Sequence, residues 1–131
     1  MIALDTNILV RFLVQDDPGQ AAIALELMSG LTADAPGFIG REVLVELVWV
    51  LERSYRNTRA EIAGAIEGFL AAPEIDIEAA DDVGPALHHY RADGSGFADL
   101  MIAAAARRSG ASELVTFDRK AARIEGVRLL G

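Results

Sequence analysis

The chain has no cysteine and a single lysine, Lys120. Without thiols it is neither a zinc ribbon, nor a disulfide scaffold, nor a thiol enzyme, and its cysteine usage is compatible with a reducing compartment. Without a block of Lys and Arg it does not read as a loose electrostatic binder of nucleic acid. Any polyanion would have to be held by a metal ion or by local arginines. Long hydrophobic runs are missing as well: the apolar stretch from Val43 to Val50 is broken by Glu46, far short of the ~18–20 apolar residues a membrane span needs. The opening MIALDTNILVRFLV has no basic segment and carries Asp5 within its apolar part. It therefore does not read as a signal peptide, and the protein is expected to stay in the cytoplasm where it is made. No GxGxxG follows the first apolar run, which removes dinucleotide binding.

What is present is apolar and acidic. Of 131 residues 52% are hydrophobic, and twelve basic side chains face twenty acidic ones for a net charge of −8. Such a chain can bury roughly two-thirds of its unfolded surface and build a core without staples. With no repeat and no linker, residues 1–131 are expected to form a single domain.

Short β-type runs alternate with helical stretches. Ile2-Ala3-Leu4 reads as a buried strand ending at Asp5, followed by a short helix through Ile8 and Leu13. Asp17 and Pro18 open a second helix with Ile23, Leu27 and Leu31 on one face. Residues 36–40 suggest a very short strand. The helix from Arg41 to about Tyr55 is apolar nearly all round and is expected to be buried. Thr58 and Glu61 match a capping box for a helix running to about Ala71, which Pro73 stops. A strand at Ile75-Asp76-Ile77, a helix over about Pro85 to Arg91, and an alanine-rich helix from Phe97 to Ser109 closed by Gly110 follow. Glu113 to Thr116 then form a strand, Asp118 to Ala122 a short helix, and Val127 to Leu129 a last strand. This alternation implies a parallel sheet with helices on both faces, and ligand sites in such sheets lie beyond the carboxyl ends of the strands.

That rule, together with the apolar run around Glu46, directs attention to four acids. Glu46, in the middle of a helix expected to be buried, needs a partner, which an arginine, a proton or a cation could supply. Asp5 ends the first strand, where it is either a helix cap or a functional group. Asp99 stands near the start of the alanine-rich helix, with a helix-dipole role as the plain alternative. Asp118 follows a late strand, with Thr116 alternating onto the same side. Asp16, Asp17, Asp34, Asp81 and Asp82 sit in turn or capping contexts, and Glu42 reads as a first-turn dipole acid. Together the four carboxylates at one sheet edge would repel one another severely without a cation. Oxygen donors without cysteine or a usable histidine pair point to a hard ion, Mg²⁺ or Mn²⁺. His88 and His89 are adjacent on a helix and cannot jointly face one ion, so both are expected to be structural.

Asp5-Thr6-Asn7 after the first strand, Glu46-Leu47 in an apolar helix, Phe97-Ala98-Asp99 opening a helix and Thr116-Phe117-Asp118 after a late strand resemble the PIN domain. Among its members the closest wording is that of VapC-type toxins of toxin–antitoxin pairs. The resemblance covers essentially the whole chain, in order. It implies a three-layer α/β/α sandwich around a mostly parallel sheet, and Mg²⁺- or Mn²⁺-dependent endoribonuclease activity on single-stranded RNA. It also implies a homodimer and a small antitoxin as partners. The site carried over is Asp5, Glu46, Asp99 and Asp118 as metal-binding and catalytic acids, with Asn7 and Thr116 in support and Asp93 as an extra acid of low weight. Arg11, Arg41 and Arg119 lie next to these elements, either to grip phosphates or as ordinary surface arginines. The helices over Ala21–Leu31 and Ile62–Leu70 carry an apolar excess that either packs on the core or meets a partner.

Other classes fit less well. A receiver domain of a signalling pathway needs an acidic pair after the first strand and a phosphoaccepting aspartate after a middle one. Here Asp5 is single and the stretch after Phe38-Ile39 has no aspartate. A dehalogenase-type phosphatase needs an aspartate at position 7, which is Asn7. A catalytically weak PIN module that only binds RNA or a partner remains the non-enzymatic alternative.

Overall fold

The structure is a computed structural model describing residues 1–131. The chain divides into two compact units, Met1–Ala80 and Asp81–Gly131.

The first unit is built on three short parallel strands in the order β1-β2-β3, β1 at Ile2–Ala3, β2 at Gly37–Ile39 and β3 at Ile75–Ile77. Helices α1 (Thr6–Val14) and α2 (Pro18–Ser29) connect β1 to β2, and α3 (Arg41–Arg53) and α4 (Arg59–Ala71) connect β2 to β3. The local signals account for these boundaries. The Asp17 carboxylate accepts from the Gln20 N–H at 3.0 Å with Pro18 in the first turn. Thr58 and Glu61 form the full capping box, their reciprocal bonds 3.1 and 2.8 Å long. Leu9, Ile39, Leu44, Leu47, Ile62 and Ile66 are fully buried and make the centre of this unit's core.

Packing decides one open point and overturns one expectation here. The apolar residues of α2 are not the buried ones: Ile23 is 69% exposed, Leu25 and Leu27 are also exposed, and Ala21 and Ala24 are buried instead. Small side chains one turn apart let α2 approach α1 closely. Nor is α3 buried all round. Leu44, Leu47, Val48 and Leu51 face inward, while Glu42, Glu46, Trp49 and Arg53 form an exposed stripe, with the Arg53 guanidinium 5.3 Å from the centroid of the Trp49 ring. Glu46 therefore stands in water and needs no partner to be tolerated. The misleading letter is Trp49, an apolar residue on the wet face that is stacked against a cation.

The second unit contains α5 (Ala80–Ala92), α6 (Phe97–Arg108) and two parallel strands, β4 (Leu114–Thr116) and β5 (Val127–Leu129). Helix α5 begins five residues earlier than Pro85 suggests, with Asp81 and Asp82 in its first turn. Asp82 is more than a solvated turn acid: it binds the Arg108 guanidinium at 2.6 Å. Tyr90 and Phe97 meet edge to face in the core, and the expected helix after Asp118 is a single 3₁₀ turn at Ala121–Arg123. Every strand pairing in the chain is parallel and helices intervene, as the α/β reading requires. No helix is long and apolar enough to cross a membrane.

Candidate functional site

In the first unit the carboxyl ends of the three strands carry acids. Continuing the register past Ala3–Phe38 and Phe38–Asp76 brings Asp5, Gly40 and Glu78 abreast. Asp5 caps α1 in an extended conformation, and its Oδ1 accepts from the Thr6 N–H at 2.8 Å. Thr6 is 5% exposed, and its Oγ1 has no hydrogen-bond partner. Asn7 is exposed on the first turn of the same helix. Glu78 is an acid that the sequence reading passed over. Its Oε1 accepts from the Arg41 N–H at 2.9 Å, so it caps α3 from the neighbouring strand, and its carboxylate lies against Gly40 together with that of Glu42. The strand-end rule, applied to Ile75-Asp76-Ile77-Glu78, would have found it. Glu46 stands one helical turn beyond Glu42 on the exposed stripe of α3.

The second unit brings Asp99 and Asp118 together. Asp99 is the third residue of α6, and the carboxylate folds back over Gly96: a Cβ there would lie 2.9 Å from Oδ2. No hydrogen bond reaches this carboxylate. Burial raises its pKa above the ordinary 3.8, the charge of Asp118 raises it further, and the ammonium of Lys120 opposes both. Asp118 is fixed by its own turn. Its N–H donates to Thr116 Oγ1 at 3.0 Å, and its Oδ1 accepts from the N–H groups of Lys120 and Ala121 at 2.8 and 3.0 Å. Thr116 thus supports Asp118 through the backbone.

The other candidates are accounted for. Asp93 is bound to His89, Oδ2 to Nδ1 at 2.6 Å, on the exposed side of α5. Arg11 is committed to Asp16 at 3.0 Å and Gln20 at 2.6 Å, with Tyr55 raising its pKa. Arg119 is exposed beside Asp118.

The donor set is that of a hard cation. All four acids offer oxygen only, and a half-buried carboxylate without donors beside a second carboxylate is where a divalent ion would relieve both desolvation and repulsion. The orphaned Thr6 hydroxyl next to Asp5 is a further unspent oxygen. Within neither unit do three acidic or imidazole groups converge into a preformed cage.

Residues 2–127 match the PIN domain family, and the chain belongs to it. It is also similar to a VapC ribonuclease of Aquifex aeolicus (strain VF5), 27% identical over 120 residues that cover 92% of this chain and 89% of that protein.

Proposed function

We propose that this PIN-domain protein is a divalent-metal-dependent endoribonuclease that hydrolyses phosphodiester bonds in single-stranded RNA, acting as the toxin of a toxin–antitoxin pair in the cytoplasm. The observation that carries the reading is Asp99, a half-buried carboxylate with no hydrogen bond, raised in pKa, beside Asp118, in a chain of PIN sequence. The stability lost in desolvating such a group is a recurring mark of functional sites. The likeness to a VapC ribonuclease along nearly the whole chain supports the choice of RNA and of the toxin role. Since the family match runs through both compact units, residues 1–131 are read as one functional domain.

In this reading Asp5, Glu46, Asp99 and Asp118 are the acids of the site, with Asn7 and Thr116 in support. A bound Mg²⁺ or Mn²⁺ would supply a water of lowered pKa and neutralise charge on the phosphate. The residues prepare this in distinct ways. Gly96 leaves the space into which Asp99 folds. Thr116 fixes the peptide of Asp118, whose Oδ1 is held by two N–H groups and whose Oδ2 stays free to face a ligand. Lys120 keeps Asp99 from protonating as readily as its burial alone would dictate. Glu46 stands exposed on α3.

An antitoxin and a second copy of the chain are the expected partners. The exposed Ile23, Leu25 and Leu27 of α2 support a partner surface, whereas Ile62 and Ile66 of α4 are buried in the core; an open groove of about 500 Å³, lined by Phe12, Leu25, Met28, Phe69 and Ile75, lies beside both helices.

The test is cleavage of a mixed structured RNA with Mg²⁺, Mn²⁺ or EDTA, beside an Asp99→Asn variant purified identically. Metal-dependent cutting by the parent and none by the variant is expected. Equal, EDTA-insensitive cutting by both would mark a contaminant and overturn the assignment.

A further inference from the structure

We infer that Phe117 is a stacking platform for a nucleobase of the substrate strand, placing one nucleotide beside Asp118 while Arg119 and Lys120 meet its phosphates. The inference rests on the RNA reading above and assigns a positioning residue within it. Phe117 is 81% exposed, more than any other large apolar side chain of the protein. It is not a ring on a loose end. Thr116 before it is paired in the β4–β5 ladder, with its carbonyl accepting from the Leu130 N–H at 2.8 Å, and Asp118 after it is held by the three hydrogen bonds of its turn. The backbone therefore fixes an aromatic face in water immediately next to a carboxylate of the site.

The neighbours decide what that face is for. Asp118, Arg119 and Lys120, the three residues after the ring, are all exposed and charged. In a chain of net charge −8, the only lysine stands here, close enough to Asp99 to bias its ionisation. Arg108 and Arg128, elsewhere in this unit, are committed to carboxylates at 2.6 and 2.7 Å. Arg119 has no such commitment. An aromatic face alternating with cations is how single strands are bound irrespective of sequence, because every base has a π-face and every linkage a charge.

The test separates this inference from the nuclease reading by using a signal that needs neither metal nor cleavage. A single-stranded oligoribonucleotide alternating 2-aminopurine and uridine is titrated in EDTA onto the Asp99→Asn protein, with and without Phe117→Ala. The expected result is a rise in Kd of about ten-fold and loss of the bound-state change in 2-aminopurine emission. Phe117→Trp should restore both and Phe117→Leu neither. In the otherwise unaltered protein with Mn²⁺, Phe117→Ala should raise KM and leave kcat within about three-fold. Because the ring is so exposed, its truncation leaves the core intact. Unchanged binding in Phe117→Ala, or rescue by Leu as good as by Trp, would overturn the inference even if the parent cuts RNA. The same holds if the only effect is on sedimentation mass, which would make the ring a contact between copies. Ring-dependent binding by a protein that never cuts, whatever the metal, would uphold the stacking role and overturn the nuclease reading.

Discussion

Asp5 and Asp99 both stand at the start of a helix, and the fold treats them in opposite ways. Asp5 is an exposed cap whose oxygen accepts an N–H of its own helix, so the local backbone alone explains why an acid is favoured there. Asp99 sits three positions past its helix's cap, Gly96, and is partly withdrawn from water. It accepts nothing, and a second carboxylate presses on it. A helix dipole favours acids at both places, and at Asp99 burial outweighs that gain and pushes the pKa up. The acid that costs stability is the better witness to chemistry, because a fold has no structural reason to keep it.

The largest expected effect breaks this comparison directly. Replacing each aspartate by asparagine keeps the shape and removes the charge, and asparagine caps helices as well as aspartate does. Asp99→Asn should lower RNA cleavage by about a hundred-fold or more, the scale on which metal sites fail when their ligation is disturbed, with the protein folded. Asp5→Asn tests whether a capped acid also serves the metal: it should lower cleavage too, with unchanged thermal stability. Full activity in Asp5→Asn would confine Asp5 to capping.

A smaller effect sharpens the role of geometry. In Gly96→Ala a methyl group would lie 2.9 Å from the Asp99 oxygen and must displace the carboxylate, since no real Cβ tolerates that contact. Cleavage should fall about ten-fold or more while every acid remains. Gly68→Ala, where nothing lies within 4 Å of the new methyl, should leave activity alone and raise stability by up to ~1 kcal/mol through helix propensity. Equal activities of the two variants, measured with the same RNA, would remove the positioning argument.

Why Asp99 was only one candidate among four is physical. Caps are written in adjacent letters, so Asp17-Pro18, Thr58 with Glu61, and Gly110 fix helix ends almost by themselves. The parallel α/β order follows from those ends. Burial is not written locally. The exposure of Glu46 depends on Trp49 lying outward, and a run such as VLVELVWVL does not say which stripe is wet. On α2 the helix packs through two alanines, which a hydrophobicity pattern undervalues against Ile23 and Leu27. Gly94-Ser95-Gly96 reads as a turn, but that Gly96 makes room for a carboxylate three residues on is a fact of three-dimensional contact. The four candidate acids could thus be named from strand ends, the apolar run around Glu46 and family resemblance, while their unequal environments could not.

The smallest effect concerns pH, where two acids of the chain have opposite signs. The Glu61 carboxylate, which closes the capping box of α4, has a lowered pKa, chiefly because it accepts the Thr58 N–H. Its stabilisation is complete above the unfolded carboxylate value and is lost as pH falls through the folded one. Asp99 is raised, chiefly by burial, so the folded protein holds that proton more tightly than the unfolded chain. Its cost is absent below the unfolded value of about 3.8 and fully present once pH has risen past the folded one. In metal-free buffer, Asp99→Asn should therefore raise Tm at pH 7 by about 1–3 °C, an advantage that disappears near pH 4. Glu61→Gln should lower Tm at pH 7, with a deficit that shrinks as pH falls and the parent glutamate itself protonates. Melting curves across that range separate the two signs. A Tm of Asp99→Asn at or below the parent's at neutral pH would mean that Asp99 is stabilised in the fold after all, and the contrast with Asp5 would fail.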